Sequence, residues 1–296
     1  MKLSTALASI DNNFGSLNYS MMLTALGDVD VINWDPKLSR NKVPERAILL
    51  GESLTTENVY RALYDYPINH VVQSTRSDAA FELILSALLT RQPEEMIKPE
   101  NTFLLKKFNV DDKQTIKRLA IQFKSTKDKK ATMDEVVAFL QSDKRLINLQ
   151  SMIMQIADEL FMNALFNGPV DDKGIRIFYN TPRHEHVSYN VAEQRALLRV
   201  IHSESRLIIG CEDPFGSLDE SHVRKLLARV TMSKYLPEVS SGAGAGLGLK
   251  MVIENSSALY IFVKKNRLTA VYCALDLSFS QRMIIETPKH AHLVVI

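Results

Sequence analysis

The chain has 296 residues, 46% of them hydrophobic and 24% charged, enough for two ordinary domains with cores of their own. A net charge of +2 gives no drive toward nucleic acid or an acidic membrane surface, and no run reaches the roughly 18 apolar residues that predict a membrane span. The two cysteines, Cys211 and Cys273, form no CxxC pair, and the N-terminal MKLSTALASIDNNFG lacks the apolar core of a signal peptide, so the sequence predicts a reduced, cytoplasmic protein without a disulfide framework.

Along the first part of the chain, residues 2–10 read as a strand. Residues 14–26 have helical spacing, with Leu17, Met21 and Ala25 on one side. Residues 28–34 alternate with period two and predict a strand. A short apolar run, 46–50, ends at Gly51. Residues 57–66 predict a helix with Leu63 and Tyr64 inward, residues 68–73 a strand, and residues 77–89 an amphipathic helix with Ser77 and Asp78 as capping candidates. Strands alternating with helices favour a parallel sheet with helices on its faces, so residues 1–95 are expected to form an α/β domain.

Residues 96–150 differ. They follow Pro93, include Pro99 and hold a lysine-rich run at 124–130. The pattern predicts helices near 112–123 and 132–141, the second with Thr132 and Glu135 at capping-box spacing, in a helical connector whose lysines form a solvated face.

From Ser151 the pattern changes again. A long helix is expected over 151–166 and a strand over 175–179. Two apolar runs, 196–201 and 206–211, flank a turn and read as a hairpin. Residues 218–236 look helical, the glycine-rich stretch 242–248 leads into a helix over 249–255, and residues 259–263 and 269–277 form a second hairpin. An antiparallel or mixed sheet with helices on one face fits this order, which makes residues 151–296 an α+β half of an α/β protein.

Three places carry chemistry. Glu159 and Asn163, four apart on the long helix, share one face. A carboxylate beside an amide oxygen suits a magnesium–phosphate site, because Mg2+ prefers oxygen ligands and keeps several waters, and the carboxylate can orient or deprotonate an attacking group. Asp213-Pro-Phe-Gly216 closes an apolar strand, where an acid can accept a hydrogen bond from an exocyclic amine such as that of adenine; the same residues are also ordinary turn chemistry. In Gly242-Ala-Gly244-Ala-Gly246-Leu-Gly248-Leu, alternate glycines let the backbone approach a polyphosphate, and the helix that follows presents free amides to the anion. No register of this stretch gives G-x-G-x-x-G, and Leu249 separates Gly248 from Lys250, which excludes a P-loop. His184-Glu-His186 lacks HExxH spacing and a third ligand, which argues against a metal there.

Taken in order, the three stretches resemble the boxes of the GHKL superfamily of ATPases, which includes gyrase, histidine kinases, chaperones and anti-sigma-factor serine kinases. Residues 159–163 look like its N box, 213–216 like its first glycine box and 244–249 like its second. The resemblance covers about 145 residues and implies ATP and Mg2+ as cofactors. It implies that Asn163 holds the metal, that Glu159 is the base, that Asp213 with Gly216 binds adenine, and that Gly242, Gly244, Gly246 and Gly248 wrap the phosphates. Residues 217–241 would be the lid, with Lys234 reaching a phosphate. The usual first box is D-x-G-x-G, whereas here the glycine lies three residues after Asp213. Residues 92–150 contain no histidine, so a standard autophosphorylated H box is not expected, and the domain resembles the anti-sigma-factor kinase branch more closely.

Residues 1–95 resemble a shortened response-regulator receiver. Gln73-Ser74 stands where Lys-Pro is expected, and Gly51-Glu52 stands where an acceptor would follow. The resemblance therefore implies a pseudo-receiver used for docking or homodimerisation. The combined expectation is an intracellular two-component-type signalling protein that binds Mg-ATP and phosphorylates or regulates a protein partner, such as a response regulator or an anti-anti-sigma-like protein. The alternative is an inactive, ATP-gated binding module.

Overall fold

The computed structural model describes residues 1–10, 29–104, 116–178, 180–191, 193–231 and 247–296. In chain order the principal elements are α1 (Leu3–Ile10), β1 (Val31–Asn33), β2 (Ile48–Gly51), α2 (Thr56–Asp65), β3 (His70–Gln73), α3 (Ala79–Arg91), α4 (Pro93–Met96) and α5 (Pro99–Leu104). They continue with β4 (Lys117–Phe123), α6 (Lys129–Leu140), α7 (Lys144–Asn148), α8 (Gln150–Asn167), β5 (Ala196–His202), β6 (Arg206–Asp213), α9 (Glu220–Thr231), α10 (Leu247–Glu254), β7 (Ala258–Lys264), β8 (Leu268–Asp276), α11 (Gln281–Glu286) and β9 (His290–Val295). The fold is α/β. Among the described residues no helix is long and apolar enough to cross a membrane.

The chain divides into two compact units, the first made of Met1–Gln114 with Pro288–Val294 and Ile296, the second of Thr115–Thr287 with Val295. In the first unit β1, β2 and β3 pair in parallel, as expected, and β9 adds to β3 antiparallel. Every residue of β2 and β3 is buried, which is why these strands read as unbroken apolar runs rather than alternations. Helix α2 is capped by the Thr55 hydroxyl, which accepts from the Asn58 amide. It buries Leu63 but leaves Tyr64 46% exposed, against the expectation that both face inward.

Two further expectations for this unit change. Residues 3–10 form a helix rather than a strand, because Leu3, Ala6 and Leu7 share one face at helical spacing and are all buried. Asp78 precedes α3 without making a cap bond; its carboxylate instead takes the Arg76 fork, with both bonds at 2.8 Å, and His290 Nε2 at 2.9 Å. The helix expected over 14–26 lies outside the described residues.

In the second unit the strand order is β7-β8-β6-β5-β4, and every pairing is antiparallel. Both expected hairpins are present as β5–β6 and β7–β8. The connector expected over 96–150 is not one piece. Where a helix was expected over 112–123, Lys117–Phe123 form the edge strand β4, with Lys117 and Arg118 exposed and Ile121 and Phe123 buried. The basic residues suit an edge that must not recruit another chain. Helix α6 starts three residues before Thr132, which is buried inside it. Its lead-in is capped by Ser125 and Asp128: Ser125 Oγ accepts from the Lys127 amide at 3.1 Å, and Asp128 Oδ2 accepts from the Ser125 amide at 3.1 Å. Of the strand expected over 175–179, the described residues 175–178 form none; Arg176 makes a single bridge to Val170.

Helix α8 spans 18 residues and packs on β5 and β6 and against α6 and α10. Met152, Ile153, Ile156, Ala157, Leu160 and Phe161 are buried at helical spacing. Phe161 stacks on Phe123 of β4, ring centroids 4.0 Å apart. This apolar contact fixes the rotation of α8 and thereby the direction of its polar face.

Candidate functional site

The rotation of α8 that buries Phe161 turns Glu159 and Asn163, one helical turn apart, toward a cavity of about 160 Å3 within the second unit. The cavity wall also includes Asp213 at the end of β6, Arg183, His222 of α9 and Leu249 of α10. The acid–amide pair, the acidic turn and the first turn of the helix after the glycine-rich stretch therefore border one space.

Arg183 ties the acid–amide pair together. Its Nη1 donates to Glu159 Oε2 at 2.8 Å and its Nη2 to Glu159 Oε1 at 3.1 Å, a bidentate pair. Nη2 also donates to Asn163 Oδ1 at 2.9 Å, and Asn167 Nδ2 donates to the same oxygen at 2.8 Å. Gly248 lies directly above: a methyl group at that position would overlap the Glu159 carboxylate.

Asp213 sits deeper. Burial pushes its carboxyl up to about 7, against a pull downward from the Phe215 and Gly216 amides. The Phe215 amide donates to Asp213 Oδ1 at 3.0 Å. Gly216 adopts a left-handed φ of 57°, and a Cβ there would run into the backbone of Lys264, Asn266 and Arg267. The Asp-Pro-Phe-Gly turn is therefore packed against the β7–β8 turn, where the Asn266 amide donates to Gly216 O at 3.1 Å. Phe215 meets Tyr189 edge-on at 4.9 Å, and Tyr189 in turn donates to Ala164 O of α8 at 3.0 Å. These contacts tie the acidic turn to the helix that carries Glu159 and Asn163.

No protein-family model and no curated protein matches the chain.

Of the residues singled out in the sequence, the structure thus brings Glu159, Asn163 and Asp213 to one cavity, with Gly248 against Glu159 and Gly216 shaping the turn beneath Asp213. Lys234, Gly242, Gly244 and Gly246 lie outside the described residues. Among the described residues no group of three His, Cys, Asp or Glu side chains is placed to hold a metal ion. A magnesium site completed by substrate phosphates does not require such a group, because one or two protein oxygens suffice. His186 Nδ1 lies 2.9 Å from the Thr126 hydroxyl. Cys211 and Cys273 are both free and buried.

Sequence reasoning missed the cations: Arg176, Arg183 and Arg229 all line the cavity. The only local signal for Arg183 is its place in a segment of turns, Thr-Pro-Arg-His-Glu-His, which carries no periodicity.

The buried acid has a consequence for stability. The folded-state pKa of Asp213 is raised, so between the ordinary carboxylate value of about 4 and about 7 the folded protein keeps a proton that the unfolded chain has released. The fold must therefore lose stability from this group as pH climbs through that window, at up to about 1.4 kcal/mol per pH unit. Asp213→Asn keeps an acceptor oxygen and removes the ionisation. Urea denaturation at pH 5 and pH 8 should show the variant losing less stability than the parent between the two pH values. Equal losses would mean that Asp213 ionises normally in the folded state.

Proposed function

We propose that the cavity beneath α8 is the Mg-ATP site of a GHKL-type domain, and that the protein phosphorylates or regulates a protein partner in intracellular signalling. The observation that carries this reading is the convergence on one cavity of an acid–amide pair from α8, the buried acid that ends β6 and Leu249 in the first turn of α10, next to Gly248 where it meets Glu159, in the sequence order of the three GHKL boxes.

The chemistry of the wall agrees with such a ligand. Asp213, once ionised, accepts a hydrogen bond from the adenine amine. Arg176 and Arg229 offer guanidinium groups suited to phosphate oxygens. Asn163 Oδ1 and the Glu159 carboxylate are hard oxygen donors that already collect a cation, the Arg183 guanidinium, and so suit Mg2+. When bound, the metal supplies neutralisation of charge on the triphosphate. In a kinase reaction Glu159 takes the proton of a partner's hydroxyl as that oxygen bonds to the γ-phosphorus; the bond from phosphorus to the β–γ bridging oxygen breaks, and ADP leaves with the electron pair.

A second reading has an observation of its own. Both Glu159 oxygens are engaged by Arg183, so neither is open to a partner's hydroxyl while that fork is in place. Here nucleotide would serve only to order the site and switch partner affinity. The first unit would be the docking element in either case. Gln73, where a receiver has lysine, is fully buried and its amide is spent on the backbone of Leu54 and Lys289, which suits a structural role. Incubation with γ-labelled ATP, alone and with candidate partners, separates the two readings. Label on the partner or release of phosphate supports the enzyme. Saturable binding without either supports the module.

A further inference from the structure

The two residues proposed to hold Mg2+ already share one ligand. The carboxylate of Glu159 and the carbonyl oxygen of Asn163 are bridged by the single guanidinium of Arg183, through three N–H donors at 2.8, 3.1 and 2.9 Å. An amide oxygen accepts two hydrogen bonds, and Asn163 Oδ1 has both, the second from Asn167 Nδ2 at 2.8 Å. No acceptor capacity remains on that oxygen for a metal. The spacing of Glu159 and Asn163 along α8 sets the two acceptors side by side, and the flat fork of an arginine spans them where a lysine ammonium would not.

The arginine is also placed to leave. It comes from residues 168–195, which contain no helix or strand among the described residues, only isolated bridges from Val170 to Arg176 and from Ser188 to Ser125. Its side chain is 35% exposed, whereas that of Glu159 is 13% exposed. The carboxylate is fixed and the guanidinium stands at the solvent side.

We infer that Arg183 is the resident cation of this site, and that a nucleotide-bound divalent cation gains Asn163 and Glu159 only by displacing it. The inference rests on the Mg-nucleotide reading and adds a regulatory step to it. Two cations on one carboxylate repel each other, and the amide oxygen cannot serve both, so occupancy is exchange rather than addition. The concentration of Mg2+ at which the site fills is then set by the strength of the arginine fork as well as by the metal's own contacts.

The test uses the full chain and trinitrophenyl-ATP as a fluorescent probe, held at a fixed concentration while Mg2+ is titrated, with a chelator arm as baseline. Arg183→Ala should reach half-maximal probe binding at about tenfold lower Mg2+ than the parent, and Arg183→Lys, which keeps the charge but not the fork, should fall between them. The position is partly exposed on an irregular segment, and an unchanged circular-dichroism melting curve will show that the variants fold. A midpoint for Arg183→Ala that is unchanged or higher overturns the inference while leaving the nucleotide site standing. Absence of probe binding to parent and variants, with and without Mg2+, overturns the nucleotide reading and this inference together.

Discussion

Phe161→Ala is expected to lower the unfolding free energy of the second unit by about 3–5 kcal/mol, the range for removing a buried aromatic ring. Phe161 has no solvent exposure and stacks on Phe123 at 4.0 Å, joining α8 to the edge strand β4. The ring is held between a helix and a strand, so the space it leaves cannot collapse without moving one of them, and the cost belongs in the upper part of the range. Urea unfolding followed by circular dichroism measures the shift, with the transition of each unit fitted separately because two units need not unfold together. A loss under 1 kcal/mol would mean that the Phe123–Phe161 contact does not anchor α8. Nucleotide affinity should fall as well, since the same contact aims Glu159 and Asn163 into the cavity.

Gly248→Ala should weaken Mg-nucleotide binding by roughly tenfold or more, which corresponds to ~1.4 kcal/mol or more. The added methyl overlaps the Glu159 carboxylate, which the Arg183 fork pins in place and which therefore cannot simply rotate aside. Either α10 moves off α8 or the Glu159 carboxylate itself is pushed out of its place; both take a proposed ligand of the metal away from the nucleotide. Alanine is a better helix former than glycine, so the first turn of α10 should itself be strengthened. Loss of affinity without loss of helix content is the expected signature, read by nucleotide titration and far-UV circular dichroism. Unchanged affinity would place Gly248 outside the site.

The parts of the fold that could be read from sequence are those whose burial pattern is local. β2, β3, β6, β7 and β8 are buried along nearly their whole length and appear as apolar runs between turn residues. Leu3, Ala6 and Leu7 are too few to separate a helix from a strand on their own, and a neighbouring surface decided the matter. Lys117 and Arg118 gave β4 the look of an amphipathic helix end, because an edge strand exposes charge that a central strand does not. β9 was missed since its pairing is with β3, more than two hundred residues earlier, and so were His290 and His292, whose partners Asp78 and His70 lie equally far away in sequence.

The candidate site divides along the same line. Glu159 and Asn163 are an i, i+4 pair and Asp213 to Gly216 a turn, both visible in a short window. Arg183 reaches Glu159 from 24 residues away, through a segment without periodicity, and no window shows the contact. The cations that give the cavity its charge are therefore the part of the site that only the tertiary structure supplies.

The proposed function requires the cavity to hold a magnesium-bound adenine nucleotide. Titration calorimetry of ATP into the full chain, with Mg2+ and then with a chelator in its place, tests it most directly. Saturable binding of one nucleotide per chain is expected in Mg2+, weakened in the chelator and weakened again in Asn163→Ala. No heat at millimolar ATP in either buffer would contradict it.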